Sequence, residues 1–194
     1  MEITTEVIKS LRDETGVSIM QCKKALEEAG GDIEKAKVIL RKQSSAIATK
    51  KSDRMLGAGV ASAYTHAGGA VVGAVVLACE TDFVSKNEEF GKLAYNIAMH
   101  VAAMNPQFKS RHDVKEDDLR SAREVFEKEA ASVPLNMRTK AVEGKIDSYM
   151  KERVLLMQSY VKDPSITVQE LIDSAVQKFG EKIEVVRFER LSVK

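Results

Sequence analysis

The chain has 194 residues, 30 basic and 29 acidic, for a formal net charge of +1. It therefore lacks the basic excess that usually marks a nucleic-acid binder. Its 44% apolar and 30% charged residues describe an ordinary soluble protein, long enough for one sizeable core or a core plus a small satellite.

Residues 1–43 read as three short helices. Thr4 or Thr5 caps the first, which carries Glu6 in its opening turn and Val7, Ile8 and Leu11 on its apolar side. Gly16 stops it. Ser18 and Gln21 have the spacing of a capping box, followed by an inner face of Ile19, Cys22, Ala25, Leu26 and Ala29. Gly30-Gly31 ends that helix, and Asp32 caps a third with Ile33, Ala36, Ile39 and Leu40 inward. So small a unit buries little surface and is marginal alone. Units of this kind commonly bind partners, with Met20, Lys23 and Lys24 lying off the inner stripe. Residues 44–56 show weak periodicity and read as a tether. Lys50, Lys51 and Arg54 are there, and three linker charges are ordinarily only solvated.

From Gly57 to Cys79 there are 23 residues without Asp, Glu, Lys or Arg, five of them Gly. That length would span a membrane, but Thr65-His66-Ala67-Gly68-Gly69 reads as a turn between two strands, about 58–65 and 70–79. No membrane segment is expected. The opening Met1-Glu2-Ile3-Thr4-Thr5-Glu6 lacks the features of a signal peptide, and Cys22 and Cys79 form no CxxC pair. Cytoplasmic residence follows as the expectation.

After the second strand comes Glu80-Thr81-Asp82-Phe83-Val84-Ser85-Lys86-Asn87. Ser85 and Glu88 are spaced as a capping box that opens a helix whose apolar face is Phe90, Leu93, Ala94, Ile97, Ala98, Val101 and Ala102. The connection places Asp82 and Phe83 at its tip. Either Phe83 folds back onto its own core, as most aromatics do, or it is offered to a partner. Asn105-Pro106 ends the helix.

Helical pattern resumes over 117–132, breaks at Val133-Pro134 and returns over about 138–150, the two forming an antiparallel hairpin. Segment 152–162 reads as irregular or extended, closed by Asp163-Pro164. Thr167 and Glu170 box the start of a helix that Gly180 ends, and Glu181–Val193 closes as a strand. The fold class is α+β: a three-helix module (1–43), a linker (44–56), and a core (57–194) of a three-stranded antiparallel sheet with helices and a helical hairpin.

No P-loop, GxGxxG, HExxH or spaced Cys/His set is present. Cys79, Glu80, Asp82 and the histidines His66, His100 and His112 are raw material for an enzyme, but nothing fixes a Cys–His geometry. A Cys at the end of a buried strand reads as an inert core thiol. No catalytic residue, metal or cofactor is expected. The alternative class is a non-catalytic interaction protein using its three-helix unit.

Several stretches carry a family resemblance. Leu11-Arg12, Thr15-Gly16, Cys22-Lys23-Lys24-Ala25-Leu26, Gly31-Asp32 and Ala36 resemble the N-terminal domain of bacterial elongation factor Ts. Cys79-Glu80-Thr81-Asp82-Phe83-Val84 with Lys86-Asn87, then Ile97–Ala103 and Val142-Glu143-Gly144, resemble that family's core. The likeness runs in order along essentially the whole chain. Ser18 and Gln21 depart from it, standing where members more often have Gly and Asp.

The resemblance implies a UBA-like N-terminal module and a guanine-nucleotide exchange factor, not an enzyme in its own right. Its partner would be elongation factor Tu, GDP-bound and nucleotide-free. It implies that Thr81, Asp82, Phe83 and Val84 disturb the partner's Mg²⁺ site. The N-terminal module would meet the G domain through Leu11, Arg12, Ile19, Met20 and Lys23, and the core would reach the partner through His66 and His100. Longer members carry two related core subdomains, whereas this chain has room for one. The short form is thus expected as a homodimer of C2 symmetry, with neither nucleic acid nor membrane as direct partner.

Overall fold

The structure, a computed structural model, describes residues 3–193. Three helices open it: α1 (Thr5–Thr15), α2 (Ile19–Glu28) and α3 (Ile33–Lys50). Each starts where the sequence supplies an acceptor. The Thr4 hydroxyl, the Ser18 hydroxyl and the Asp32 carboxylate accept from the N–H groups of Val7, Gln21 and Lys35. Leu11, Val17, Cys22, Ala25, Leu26, Ala36 and Leu40 form their common core.

The third helix does not end near residue 43. It runs to Lys50, through the first half of the stretch read as a tether, and residues 51–54 then turn. Its hidden inner position is Ser44, buried, whose hydroxyl donates to the Leu40 carbonyl (2.9 Å) and to the Gln177 side-chain oxygen. A helical face carried by a hydroxyl leaves no apolar stripe to find.

Strands β1 (Ala58–His66) and β2 (Val71–Cys79) form the expected hairpin. A single helical turn, α4 (Asp82–Ser85), separates β2 from α5 (Glu88–Met104). The expected inner face of α5, from Phe90 to Ala102, is buried at every position. Its start differs from expectation. Asn87, not Ser85, accepts from the Glu89 N–H (2.8 Å), while the Ser85 hydroxyl donates to the Asp82 carbonyl inside the preceding turn. At Gly73 a Cβ would lie 2.1 Å from the Ala98 oxygen and 2.7 Å from the Ala102 nitrogen. Only glycine lets α5 ride this closely on β2.

Helices α6 (Glu116–Glu129) and α7 (Leu135–Arg153) pack as a hairpin around Leu119, Ala130, Val142, Ile146 and Met150; α7 is longer than its pattern suggested. After a short 3₁₀ turn at Leu155–Met157, β3 (Ser159–Tyr160) pairs antiparallel with β4 (Asp163–Thr167). That second sheet is not foreseen, because Asp163-Pro164 reads as a break, yet proline is tolerated at a sheet edge. Helix α8 (Val168–Phe179) stops at Gly180 (φ +73°), and β5 (Ile183–Ser192) follows. The main sheet has the order β1-β2-β5. The fold is α+β, with β2 central.

By its internal contacts the chain forms two units. One comprises Met1–Ser62, Val76–Ala94 and Gln169–Val186; the other comprises Ala63–Val75, Tyr95–Val168 and Arg187–Lys194. No helix among the described residues is long and apolar enough to cross a membrane.

Candidate functional site

The first unit carries the Thr81–Val84 turn. Cys79 ends β2 fully buried, and the chain then leaves the sheet for one turn of helix. Successive helical residues differ in direction by roughly 100°, so Phe83 and Val84 point different ways from this single turn. Val84 is buried and Phe83 is 83% exposed. Phe83 therefore projects, and the fold-back alternative is excluded. Val84, expected among the contact residues, is buried beneath Phe83 and anchors the turn. Asp82 is exposed and forms an ion pair with Lys86 (2.7 Å), which holds its carboxyl below the usual carboxylate range.

Two carboxylates brace this turn, and the sequence gives neither a bracing role. The Glu181 side chain accepts from the N–H of Glu80 (3.1 Å), the N–H of Thr81 (3.0 Å) and the Thr81 hydroxyl (2.6 Å). The Glu80 carboxylate accepts from the Lys182 N–H and from Arg54 (3.2 Å). The Lys182 N–H and then Arg54 hold the Glu80 carboxyl low. The one sequence signal was positional: an acid just after one strand and an acid just before a strand that turns out to be its neighbour.

The three-helix module sits in the same unit. Of its expected contact residues, Leu11 is fully buried and belongs to the module's own core. Arg12 and Lys23 are exposed, Lys23 lying 3.8 Å from Glu27. Ile19 and Met20 are 56% and 69% exposed. Ile19 is thus not on the inner face; as the first residue of α2 it lies outside the module core, which starts in that helix at Cys22. Arg12, Ile19, Met20 and Lys23 remain as surface.

The second unit holds His66 and His100, the two histidines expected to reach the partner. His66 is exposed; its ring stacks on Tyr64, with centroids 6.0 Å apart, and Tyr64 meets Tyr95 edge-on at 5.7 Å. His100, also expected to reach the partner, is completely buried in the free chain. Its Nδ1 accepts from the Val161 N–H (3.2 Å), so the proton sits on Nε2, which donates to the Gln158 Oε1 (2.9 Å). Burial pushes its pKa down and keeps the ring neutral.

Cys79 offers no nucleophile. Its thiol donates to the Thr81 carbonyl (3.2 Å), and burial, then the nearby Glu181 charge, push its pKa up. Among the described residues no group of three or more His, Cys, Asp or Glu is arranged to hold a metal.

The family model described as Elongation factor TS matches residues 6–194. Elongation factor Ts of Thermotoga petrophila is 43% identical over 193 residues, covering 100% of this chain and 97% of the relative. The protein of that name in Herpetosiphon aurantiacus is 43% identical over 195 residues, covering 100% and 98%. That of Desulforamulus reducens is 44% identical over 191 residues, covering 97% and 88%.

Proposed function

The chain belongs to the elongation factor Ts family and is a translation elongation factor, and from that premise we propose that it is the guanine-nucleotide exchange factor of elongation factor Tu. The observation that carries this reading is the exposed Phe83 above the buried Val84. An aromatic held out on a pinned turn has a use only if a partner covers it.

A GTPase holds GDP through backbone amides at the phosphates and a Mg²⁺ ion bridging protein and phosphate oxygens. A partner that binds the empty form better than the loaded form must weaken nucleotide affinity by the same factor. Phe83 enters an apolar crevice of the G domain and displaces elements near the Mg²⁺ site, while Asp82 competes for polar contacts there. Without the ion, the phosphates are held by the amides alone. Burying one Phe side chain is worth about 2 kcal/mol, or roughly a thirtyfold change in affinity. Arg12, Ile19, Met20 and Lys23 supply grip on the G domain that does not depend on nucleotide. His66, with Tyr64 and Tyr95 behind it, meets the partner separately.

The test is equilibrium binding of the chain to elongation factor Tu, titrated with GDP and Mg²⁺. Exchange requires the affinity to fall as either ligand is added. An affinity indifferent to both would reduce the chain to a plain interaction module.

A further inference from the structure

The turn that presents Phe83 is too short to hold itself. A four-residue helix does not recover its nucleation cost, so its direction must be fixed from outside. Val84 anchors one side chain. The backbone is held by Glu181, whose Oε2 accepts from the N–H groups of both Glu80 and Thr81 while Oε1 accepts the Thr81 hydroxyl. Hydrogen bonds to an ionised acceptor are the stronger kind.

Glu181 is itself held in place. Gly180, left-handed at φ +73°, ends α8 and turns the chain toward β5. The Lys51 ammonium donates to the Gly180 carbonyl (2.7 Å), and the Lys182 ammonium donates to the Ser52 carbonyl (2.6 Å). The Lys182 N–H returns a bond to the Glu80 carboxylate. The segment 180–182 is thus tied to the end of α3 on one side and to the Phe83 turn on the other.

We infer that Glu181 is a positioning residue for nucleotide exchange, acting through the backbone of Glu80 and Thr81 to set the direction in which Phe83 leaves the surface. This rests on the exchange reading above. Without the carboxylate, Val84 still anchors the turn and the N-terminal module still binds, but Phe83 is no longer aimed. The loss therefore falls on the maximal release rate and not on the concentration needed for half of it. Geometry matters here more than charge. A Gln oxygen can accept both N–H groups while its NH₂ donates to the Thr81 hydroxyl oxygen, so all three contacts survive.

The experiment is saturation kinetics of GDP release from elongation factor Tu with wild type, Glu181→Ala and Glu181→Gln. Amide exchange on the free proteins is followed alongside. Misplacement on the ångström scale costs one to two decades in rate. Glu181→Ala is expected to lower the maximal rate about tenfold with half-saturation within about twofold, and Glu181→Gln to stay within about threefold of wild type. Glu80 and Thr81 amides should exchange faster in the Ala variant only, with α2 amides unchanged as proof of fold. Equal maximal rates for wild type and Glu181→Ala, or equal losses in the Ala and Gln variants, would overturn the inference alone. A wild type that does not accelerate release would overturn the exchange reading, and this inference with it.

Discussion

Phe83 and His100 reverse the ordinary order of burial. A large aromatic hydrocarbon is 83% exposed, and an imidazole is wholly enclosed. Residue type alone would have placed them the other way, and family likeness would have put both on the surface. Context decides. Phe83 shares a one-turn helix with Val84, and that turn directs Val84 inward and Phe83 outward. His100 follows Ile97 by three residues and Leu93 by seven on α5, so it lies on a buried flank of that helix. Its enclosure is tolerated because both ring nitrogens are satisfied, by Val161 and Gln158. One residue is displayed at the surface; the other is enclosed and fully hydrogen-bonded.

That contrast is tested hardest at His100. His100→Ala leaves a cavity and orphans the Val161 N–H and the Gln158 oxygen, so it should cost about 3 kcal/mol of stability in urea unfolding. Exchange per folded molecule should not change; a specific loss of partner affinity would return His100 to the contact surface. Within the three-helix module the pairing repeats on a smaller scale. Leu11→Ala, a core truncation, should also cost about 3 kcal/mol, whereas Met20→Ala should stay within about 0.5 kcal/mol of wild type and weaken partner binding instead.

The pH dependence sharpens the same point. The folded pKa of His100 is depressed by burial, so below about 6.5, the value of an unburied imidazole, the unfolded chain takes up a proton that the folded chain refuses. Its contribution to stability is therefore complete above that pH and is lost as pH falls toward the folded pKa. Urea midpoints at pH 7.5 and 5.5 should show the loss in wild type and a smaller one in His100→Gln. Smaller than either core truncation, Gly180→Ala forces a left-handed backbone on a side-chain-bearing residue and should cost about 1 kcal/mol.

What the sequence revealed was local. The caps at Ser18 and Asp32, the hairpin around Gly68-Gly69 and the apolar face of α5 each depend on neighbours a few residues away and stand in the structure as read, and of Thr4 and Thr5 the structure selects Thr4 as the first cap. What it concealed was either distant or disguised. Glu181 braces Thr81 across 100 positions, a pairing with no local mark. Ser44 extends α3 with a buried hydroxyl instead of an apolar stripe, and Ile19 has the right residue type but lies outside the module core. For Phe83 the two readings stayed open because periodicity cannot rank two adjacent apolar residues on a single turn.

The central claim is that Phe83 is exposed for use. Stopped-flow release of a fluorescent GDP analogue from elongation factor Tu, with wild type and Phe83→Ala, tests it directly. Stability should hold within about 0.5 kcal/mol, as for a surface change, while release slows at least tenfold. Equal release by a folded Phe83→Ala would contradict the claim and leave the exposed ring without a role in exchange.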